Sequence, residues 1–446
     1  MTENDTHASA GLDADILAAL RWLGAARPLD DARIEQRARD LLFDTIGCAV
    51  AGLATDEVRD LARRLAESEP GTLRIPGMPE GLSTSGFLFA FSAAACCFEG
   101  PEGLALAQGR PGLHVVPAVL ARALAERRSL REVLDALVVG YEIGGRIGEV
   151  YRLRPGMHVD GTFGTFGAVV GLARLKGAAP EDTLAAINHA ACHLPFSLYF
   201  PITHGSTARN LYVGHGALLA DMALTATLAG FGGPTMSLTE HLRLALARDV
   251  NALGTPPDVW LLLQGYLKKY PVTKHVHYGV AAAAQWHADH AAQAAGIERV
   301  RLKIYRNALI YCGVRHPATS IQAQFSLSHG LAWALLHGDL TAAAFSADAL
   351  ASPDVRRLEH LIELEEHPVL TADDKRGAEL SVTFGGRTAS YVIDDVPGDP
   401  QRPLSRAELV HKFRSGAAPA VGDRQVDTMI AAVLDGPLDS PLAFPD

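Results

Sequence analysis

Two histidines stand where a titratable ring is unexpected. His158 begins the stretch HVDGTFGTFGAVVGLARLKG, in which most of the other residues are small or apolar. His114 follows the loop GRPGL and precedes Pro117, where an alanine-rich helix is expected to begin. Because imidazole titrates near neutral pH, two such rings at predicted helix starts are candidates for a general base and a general acid.

The glycine-rich segment GTFGTFG, residues 161–167, follows His158 directly. A phosphate-binding loop is disfavoured, because the Walker lysine and its Ser/Thr are missing and no clear strand precedes the segment. Glycines spaced three apart instead predict close contact between two helices. The same spacing would let a substrate carboxylate reach free N–H groups at a helix start beside His158, which is our hypothesis for that ring.

Two further segments carry polar residues of useful types. In LKKYPVTKHVHYGV, a metal site at His275-x-His277 lacks a third ligand in the sequence, so no metal is predicted. In HGSTARNLYVG, Ser206 and Arg209 lie at a predicted helix start. Arg209 is either a surface residue near a cap or a residue that grips a carboxylate with both N–H groups.

The composition limits the possible functions. The chain has 446 residues, 48% hydrophobic and 20% charged, which is typical of a globular enzyme of two domains. A net charge of -10 without a basic stripe argues against nucleic acid as a partner. The apolar runs are short and interrupted, the N-terminus lacks an apolar core, and the five cysteines have no metal-ligand spacing. We therefore expect a cytoplasmic protein that does not enter a membrane.

The elements that must position these residues are mainly helices. Ser129 with Glu132, Ser237 with Glu240 and Ser405 with Glu408 have the spacing of helix capping boxes. Apolar alternation in ERVRLKIY predicts a strand, and AELSVTFGGRTASYVIDD predicts a hairpin. The patterns predict a mainly α fold, with a loose tail at 1–15, a large helical domain at 16–267 and 400–446, and a smaller α+β domain at 268–399.

Eight segments in order resemble the MmgE/PrpD family, which contains 2-methylcitrate dehydratase, cis-aconitate decarboxylase and iminodisuccinate epimerase. They are ARDLLFDTIGCAVAGL, LHVVPAVLARALAE, GYEIGGRIGEVY, GMHVDGTFGTFGAVVGLARLKG, GSTARNLYVGHGALLADMALTATLAGFGGP, LKKYPVTKHVHYGV, HPATSIQAQFSLSHGLAWAL and GDPQRPLSRAELVHKF. The resemblance implies a large all-helical domain with a smaller α+β lid, a homodimer, an active site between the domains, and no metal or organic cofactor.

The resemblance also implies site residues. His114 and His158 match the family's two active-site histidines, and Lys268 matches its active-site lysine. His277 matches a histidine further along the same segment, which we expect to bind substrate.

The sequence departs from the family pattern at three places. An Asp-rich stretch is replaced by CCFEG, which keeps only the Glu99 carboxylate. A lysine near the helix start is here Arg209, and a basic residue of the lid is here Gln324. The expected fold is unaffected by these changes, whereas the group that each position offers to a substrate is altered.

The expected function is that of a cofactor-independent lyase, either a dehydratase or a decarboxylase, that moves protons near a carboxylate of a small polycarboxylate. His114 and His158 are expected to serve as base and acid, and Lys268 as a base or an electrostatic clamp. Glu99 is expected to orient a histidine or act as an acid. Tyr151, Arg209, Ser206, His277 and Gln324 are expected to contact the substrate.

Two alternatives stay open at this point. One is an epimerase or isomerase that removes a proton and returns it to the other face of the carbon. The altered CCFEG stretch favours it, because loss of hydroxide demands a strong acid. The other is a non-catalytic family member.

Overall fold

The computed structural model describes residues 11–373 and 375–444. The α-helices are α1 Leu12–Ala25, α2 Ala32–Gly52, α3 Asp56–Ser68, α4 Thr84–Phe98, α5 Pro111–Glu126, α6 Leu130–Val150, α7 Gly164–Lys176, α8 Pro180–His193, α9 Phe200–Thr203, α10 Tyr212–Leu228, α11 Ser237–Leu246, α12 Lys274–His290, α13 Arg306–Cys312, α14 Ser320–Gln324, α15 Leu327–His337, α16 Ala347–Ala351, α17 Pro353–Leu361, α18 Pro368–Ala372, α19 Arg406–Val421 and α20 Asp423–Val433. The strands are β1 Pro70–Leu73, β2 Met157–His158, β3 Ser197–Leu198, β4 Ile297–Ile304, β5 Ile362–Glu366, β6 Ala378–Phe384 and β7 Arg387–Ile393.

Helix starts follow the capping chemistry of the sequence in two of the three predicted cases. Ser129 and Ser405 each bond the backbone N–H of the glutamate three residues on, and that glutamate bonds back. The predicted box at Ser237 is wrong. Met236, in a left-handed conformation, occupies the cap position of α11, and the Ser237 hydroxyl donates to the Pro234 carbonyl at 2.6 Å.

Glycines allow α6 and α7 to cross in contact, which confirms the helix-packing interpretation of the glycine-rich segment. A Cβ at Gly167 would lie 2.8 Å from the carbonyl oxygen of Gly140 and 3.1 Å from the Cα of Gly144. A Cβ at Gly171 would meet the side chain of Val119 on α5 at 2.8 Å. Helices α6 and α7 therefore approach to backbone distance, and the Val119 side chain of α5 packs directly against Gly171; a residue larger than glycine permits neither contact.

The α+β part is built on a four-stranded sheet of order β5-β4-β6-β7. β4 pairs in parallel with β5 and antiparallel with β6, and β6 turns back into β7 through Gly385 and Gly386, both with positive φ. The predicted strand and hairpin are therefore confirmed. Helices α12 and α15 pack against each other, and α12 also packs on β6 and β7.

The described residues form two large hydrophobic clusters. One runs from Leu12 to Leu267 and takes in α19 and α20, and the other runs from Tyr270 to Val396. The mainly α fold with a smaller α+β domain is confirmed. The helical part also carries the short antiparallel pair β2–β3, which the sequence did not predict. The exact domain boundaries and the homodimer stay predictions.

The predicted loose tail at 1–15 extends too far, because its last residues belong to helix α1. α1 begins at Leu12, whose side chain is buried together with that of Ile16. Residues 1–10 lie outside the described residues.

One described stretch, Thr207–Leu228, is long and apolar enough to cross a membrane by length and composition. Inside the protein, its helix α10 packs on α4, α5, α7 and α8. Its apolar character is therefore explained in part by the core of the helical domain.

Replacing Gly167 by Ala should destabilise the protein, because the new methyl group would press on the backbone of α6. We expect the free energy of unfolding to fall by about 1–3 kcal/mol, as for other overpacked cores. Urea denaturation measures it. Gly24→Ala is the matched control, since no atom lies within 4 Å of its Cβ position and a helical alanine is favourable. Equal stability of the two variants would contradict the packing argument.

Candidate active site

A cleft of about 440 Å³ lies where the helical part meets the α+β part. The polar residues that line it from the helical part, with its connecting segment, are Glu99, Gln108, Arg110, Tyr151, His158, Tyr199, Tyr266 and Lys268. Those from the α+β part are Thr273, Lys274, His275, Tyr305, Asn307, Tyr311, Lys375 and Arg376. Apolar groups such as Met157 and Phe325 complete the wall. A cavity of this size and mixed lining suits a small polar ligand.

Glu99 is the polar centre on the helical side. It ends α4 in the left-handed conformation, with φ 55°, so its carboxylate turns away from the helix axis. One carboxylate oxygen accepts from Lys268 Nζ at 2.7 Å, and the other pairs with Arg209 and, at 3.2 Å, with Arg110. Lys268 Nζ also donates to the Glu99 carbonyl at 3.0 Å.

The second carboxylate of this cluster is Asp160, on the loop between β2 and α7. Both of its oxygens accept from the Arg110 guanidinium, one of them at 3.2 Å. Three cations therefore face two carboxylates, since Arg110, Arg209 and Lys268 outnumber Glu99 and Asp160 by one. All five side chains are buried, so the extra positive charge is poorly screened by water.

The charges fix the protonation states. Burial by itself would raise the pKa of Glu99, but Arg110, Arg209 and Lys268 outweigh it and hold that pKa well below its usual range. Burial lowers the pKa of Lys268 to about 8, and Arg110 and Arg209 add to this effect while Glu99 opposes it. Glu99 is therefore a carboxylate at neutral pH, which argues against its predicted role as an acid. Lys268 is mostly an ammonium that gives up its proton near physiological pH.

His158 lines the cleft from the short strand β2. Its Nδ1 accepts a hydrogen bond from the Asp160 N–H at 3.1 Å, so the neutral ring carries its proton on Nε2. Burial, opposed by Asp160, lowers the pKa of His158 to about 4. The rings of Tyr199 and Tyr212 flank it, each with its centroid at 5.9 Å. At neutral pH His158 is thus an N–H donor rather than an imidazolium.

His114 does not reach the cleft. Its helix α5 begins at Pro111 rather than at Pro117, so the ring lies in the first turn, and it is 1% exposed. Nδ1 donates to the Arg110 carbonyl at 3.0 Å, and Nε2 accepts from the Gly161 N–H at 2.9 Å. Both ring nitrogens are therefore occupied by backbone groups. His114 positions the loop that carries His158 and Asp160.

The hypothesis of a carboxylate docked at a helix start beside His158 is contradicted. Helix α7 begins at Gly164, and residues 160–167 do not line the cleft. The N–H groups of Asp160 and Gly161 already donate to the rings of His158 and His114. Gly164 makes room for the His114 ring, which would lie 2.3 Å from a Cβ there.

Of the other residues predicted to contact the substrate, one lines the cleft and the rest do not. Tyr151 lines the cleft and pairs through its hydroxyl with His241 Nε2 at 2.9 Å. Burial raises the pKa of Tyr151 well above its usual range, so it remains neutral.

Four predicted substrate contacts are not in the cleft wall. Ser206 is exposed and accepts from the Ala208 N–H. Gln324 donates to the Cys97 carbonyl at 2.9 Å and so joins the lid to α4. His277 is fully buried beside Tyr270. Arg209, also off the wall, forms an ion pair with Glu99.

The polar residues that the sequence analysis did not predict for the site include Asp160, Arg110, Arg376 and His275. Asp160, two residues after His158, carried a usable signal, since a carboxylate near a candidate histidine affects its protonation. Arg110 and Arg376 carried none. His275 takes the place in the cleft expected of His277, and its Nδ1 lies 2.7 Å from the Tyr305 hydroxyl.

A second buried ion pair supports the cluster from behind. Lys412, on α19, pairs with Asp44 of α2 at 2.5 Å and donates to the Gly100 carbonyl at 2.8 Å. Gly100 follows Glu99 directly. Helix α19 therefore fixes the turn from which the Glu99 side chain projects.

Comparisons with known proteins agree with this architecture. A family model described as the MmgE/PrpD N-terminal domain matches residues 21–245, and one described as the MmgE/PrpD C-terminal domain matches residues 270–436. Lys268 lies in the short interval between the two matches.

Curated relatives carry one recurrent name. Human cis-aconitate decarboxylase is 24% identical over 426 residues, which cover 90% of this chain and 87% of the relative. The mouse protein of the same name is 25% identical over 362 residues, covering 72% and 70%. A cis-aconitate decarboxylase-like protein of Aspergillus oryzae is 27% identical over 203 residues, covering 43% and 42%.

Replacing Glu99 by Gln should cost much stability, because three buried cations would lose the carboxylate they share. We expect the free energy of unfolding at pH 7 to fall by about 3–5 kcal/mol, as for other buried ion pairs that lose one partner. Chemical denaturation measures it. The control is Glu181→Gln, which removes an exposed ion pair with Arg21 and should change stability little. Similar losses in both variants would contradict the central role of Glu99.

Proposed function

The chain belongs to the MmgE/PrpD family, and from that premise we propose that it is a lyase acting on a small polycarboxylate. The reaction is the loss of a carboxyl group or of water at a carbon next to a carboxylate. Residues of this chain supply the proton transfer and the electrostatic stabilisation. The curated relatives named cis-aconitate decarboxylase support this class of reaction.

One observation carries the proposal: two proton-bearing groups, the Lys268 ammonium and the His158 Nε2–H, face one cleft in which positive charge is in excess. Among the described residues of the cleft wall, Glu99 is the one carboxylate, and cations occupy both of its oxygens. A site of this kind binds anions and delivers protons. It offers no free carboxylate base.

These groups suit decarboxylation in particular. The bond between the carboxylate and the neighbouring carbon breaks, carbon dioxide leaves, and the electron pair remains on that carbon. The negative charge spreads onto an oxygen of the adjacent substrate carboxylate, and the His158 N–H donates a hydrogen bond to that oxygen. The Lys268 ammonium then delivers its proton to the carbon, and water restores the proton on the amine.

An epimerase is the second candidate, and the pKa of Lys268 favours it. With a pKa of about 8, a fraction of Lys268 is a neutral amine at pH 7 and could remove a proton from carbon. Returning that proton to the opposite face would leave the composition of the substrate unchanged. Product analysis therefore separates the two candidates.

Proton NMR in heavy water tests the proposal with 2-methylcitrate, citrate, cis-aconitate, iminodisuccinate and simple dicarboxylates as substrates. We expect a new olefinic signal or the loss of a carboxyl group for at least one acid. Deuterium in an unchanged carbon skeleton would indicate an epimerase instead. Neither reaction nor exchange across the panel would indicate a non-catalytic protein.

His158→Ala should lower turnover of the reacting acid by about 10²- to 10⁴-fold, the usual contribution of a positioned proton donor. His158→Asn should retain more activity than His158→Ala, because its amide can still donate an N–H. The control is His411→Asn on the exposed face of α19, which should match the wild type. Full activity of His158→Ala, with folding verified by circular dichroism, would exclude the assigned role.

The pH profile should report Lys268. If the ammonium is the active form, kcat/KM is high below pH 8 and falls as pH rises through the pKa of about 8. The fall arises because deprotonation removes both the proton to be delivered and a positive charge. Initial rates from pH 6 to pH 9.5 measure it. A rate that rises through pH 8 would instead assign Lys268 as a base.

A further inference from the structure

Arg376 faces the cleft from the α+β side without a carboxylate partner in the described part of the chain. It lies just before β6, which begins at Ala378, and it lines the same cavity as Lys268 and His158. Its Nη1 is buried and makes no hydrogen bond. An arginine keeps its charge at any physiological pH, so this is a standing positive charge with an unused donor.

The neighbours of Arg376 do not neutralise it. Tyr266, Tyr278 and Tyr305 lie near the guanidinium, which donates a hydrogen bond to Tyr266, and burial raises the pKa of each of these phenols. They are therefore uncharged at pH 7. Phenol rings can stack on a guanidinium, but they do not replace the negative charge that a buried cation usually requires.

The other cations of the cleft already have anionic partners. Lys268 and Arg110 bond Glu99, and Lys274 Nζ lies 2.5 Å from a carboxylate oxygen of Asp399. Lys375 is exposed and pairs with Asp373 at 3.1 Å. Arg376 thus stands apart among the described residues of the wall.

We propose that Arg376 binds a second carboxylate of the substrate, remote from the carbon at which Lys268 and His158 act. The inference rests on the proposed function and deepens it: two carboxylates of the polycarboxylate lie at opposite sides of the cleft, one of them at Arg376. A planar guanidinium offers two parallel N–H groups that match a carboxylate. Asn307, at the start of α13, lines the same wall and could also hydrogen-bond the carboxylate held by Arg376.

Arg376 is on this account a binding and positioning residue. A carboxylate held there ties the substrate to the α+β part while its other end lies against the helical part. The binding energy acts in the ground state and the transition state alike. Loss of Arg376 should therefore appear mainly in KM, with a smaller effect on kcat.

The test compares diacids with their monoamides, in which one charge is removed at nearly constant shape. Calorimetry would measure binding of succinate, glutarate, succinamate and glutaramate to the wild type, Arg376→Gln, Arg376→Lys and Arg387→Gln. Arg387 lies on the exposed hairpin strand β7 and is the matched control. Thermal unfolding of each variant verifies that it is folded.

We expect the wild type and Arg387→Gln to bind a diacid roughly 10- to 100-fold more tightly than its monoamide, as for a hydrogen bond between charged groups. Arg376→Gln should abolish this preference, and Arg376→Lys should keep part of it. For an acid that turns over, Arg376→Gln should raise KM by a similar factor. A wild type without preference for either diacid, or a preference that survives in Arg376→Gln, would overturn the inference.

The two proposals fail separately. If no acid of the NMR panel reacts but the diacid preference depends on Arg376, the binding site stands and the proposed reaction is wrong. If an acid reacts with equal KM in the wild type and Arg376→Gln, the reaction stands and the role of Arg376 is wrong. Should Arg376→Gln not fold, the wild-type preference and the Arg376→Lys comparison decide.

Discussion

The candidate active site depends on one buried carboxylate. Glu99 receives Lys268, Arg209 and Arg110 from three different segments of the chain, and it takes all three with a single side chain. Each cation would be costly to bury alone. The ion pairs with Glu99 therefore hold these segments together, because moving a segment away would leave its cation buried without a counter-ion. The left-handed turn at Glu99 and the Lys412 contact behind it fix the carboxylate in place.

The same cluster controls the chemistry by setting where protons reside. A glutamate surrounded by cations stays ionised, whereas a lysine placed among other cations loses its proton easily. The residue types alone leave two roles open for each: the glutamate orients a histidine or acts as an acid, and the lysine is a base or an electrostatic clamp. Their surroundings favour a fixed counter-ion for Glu99 and, for Lys268, a group that exchanges its proton near neutral pH, as the proposed reaction requires.

Much of the fold could be predicted from the sequence, because local patterns decide it. The boxes at Ser129 and Ser405, the β6–β7 hairpin and the helix contact at Gly167 each depend on residues close in sequence or on glycine spacing. The Ser237 box failed because Asn188, on α8, accepts the Leu238 N–H at the start of α11, while the Ser237 hydroxyl donates to the Pro234 carbonyl. A contact from elsewhere in the chain replaced the local cap.

The site was predictable in part, and the two wrong predictions for its histidines have a common cause. Successive helical residues are rotated by about 100°, so the start of a helix decides which of two neighbouring histidines faces a cleft. With α12 beginning at Lys274, His275 turns to the cleft and His277 to the core. With α5 beginning at Pro111 rather than Pro117, His114 is drawn into the first turn and its ring bonds to backbone.

Arg376 left no pattern in the sequence, since an unpaired charge can be recognised only once the partners of the other charges are known from the structure. A bound dianion would complete that pairing. It would also offset the cations that lower the pKa of Lys268, so the ligand itself would favour the ammonium that the proposed reaction needs.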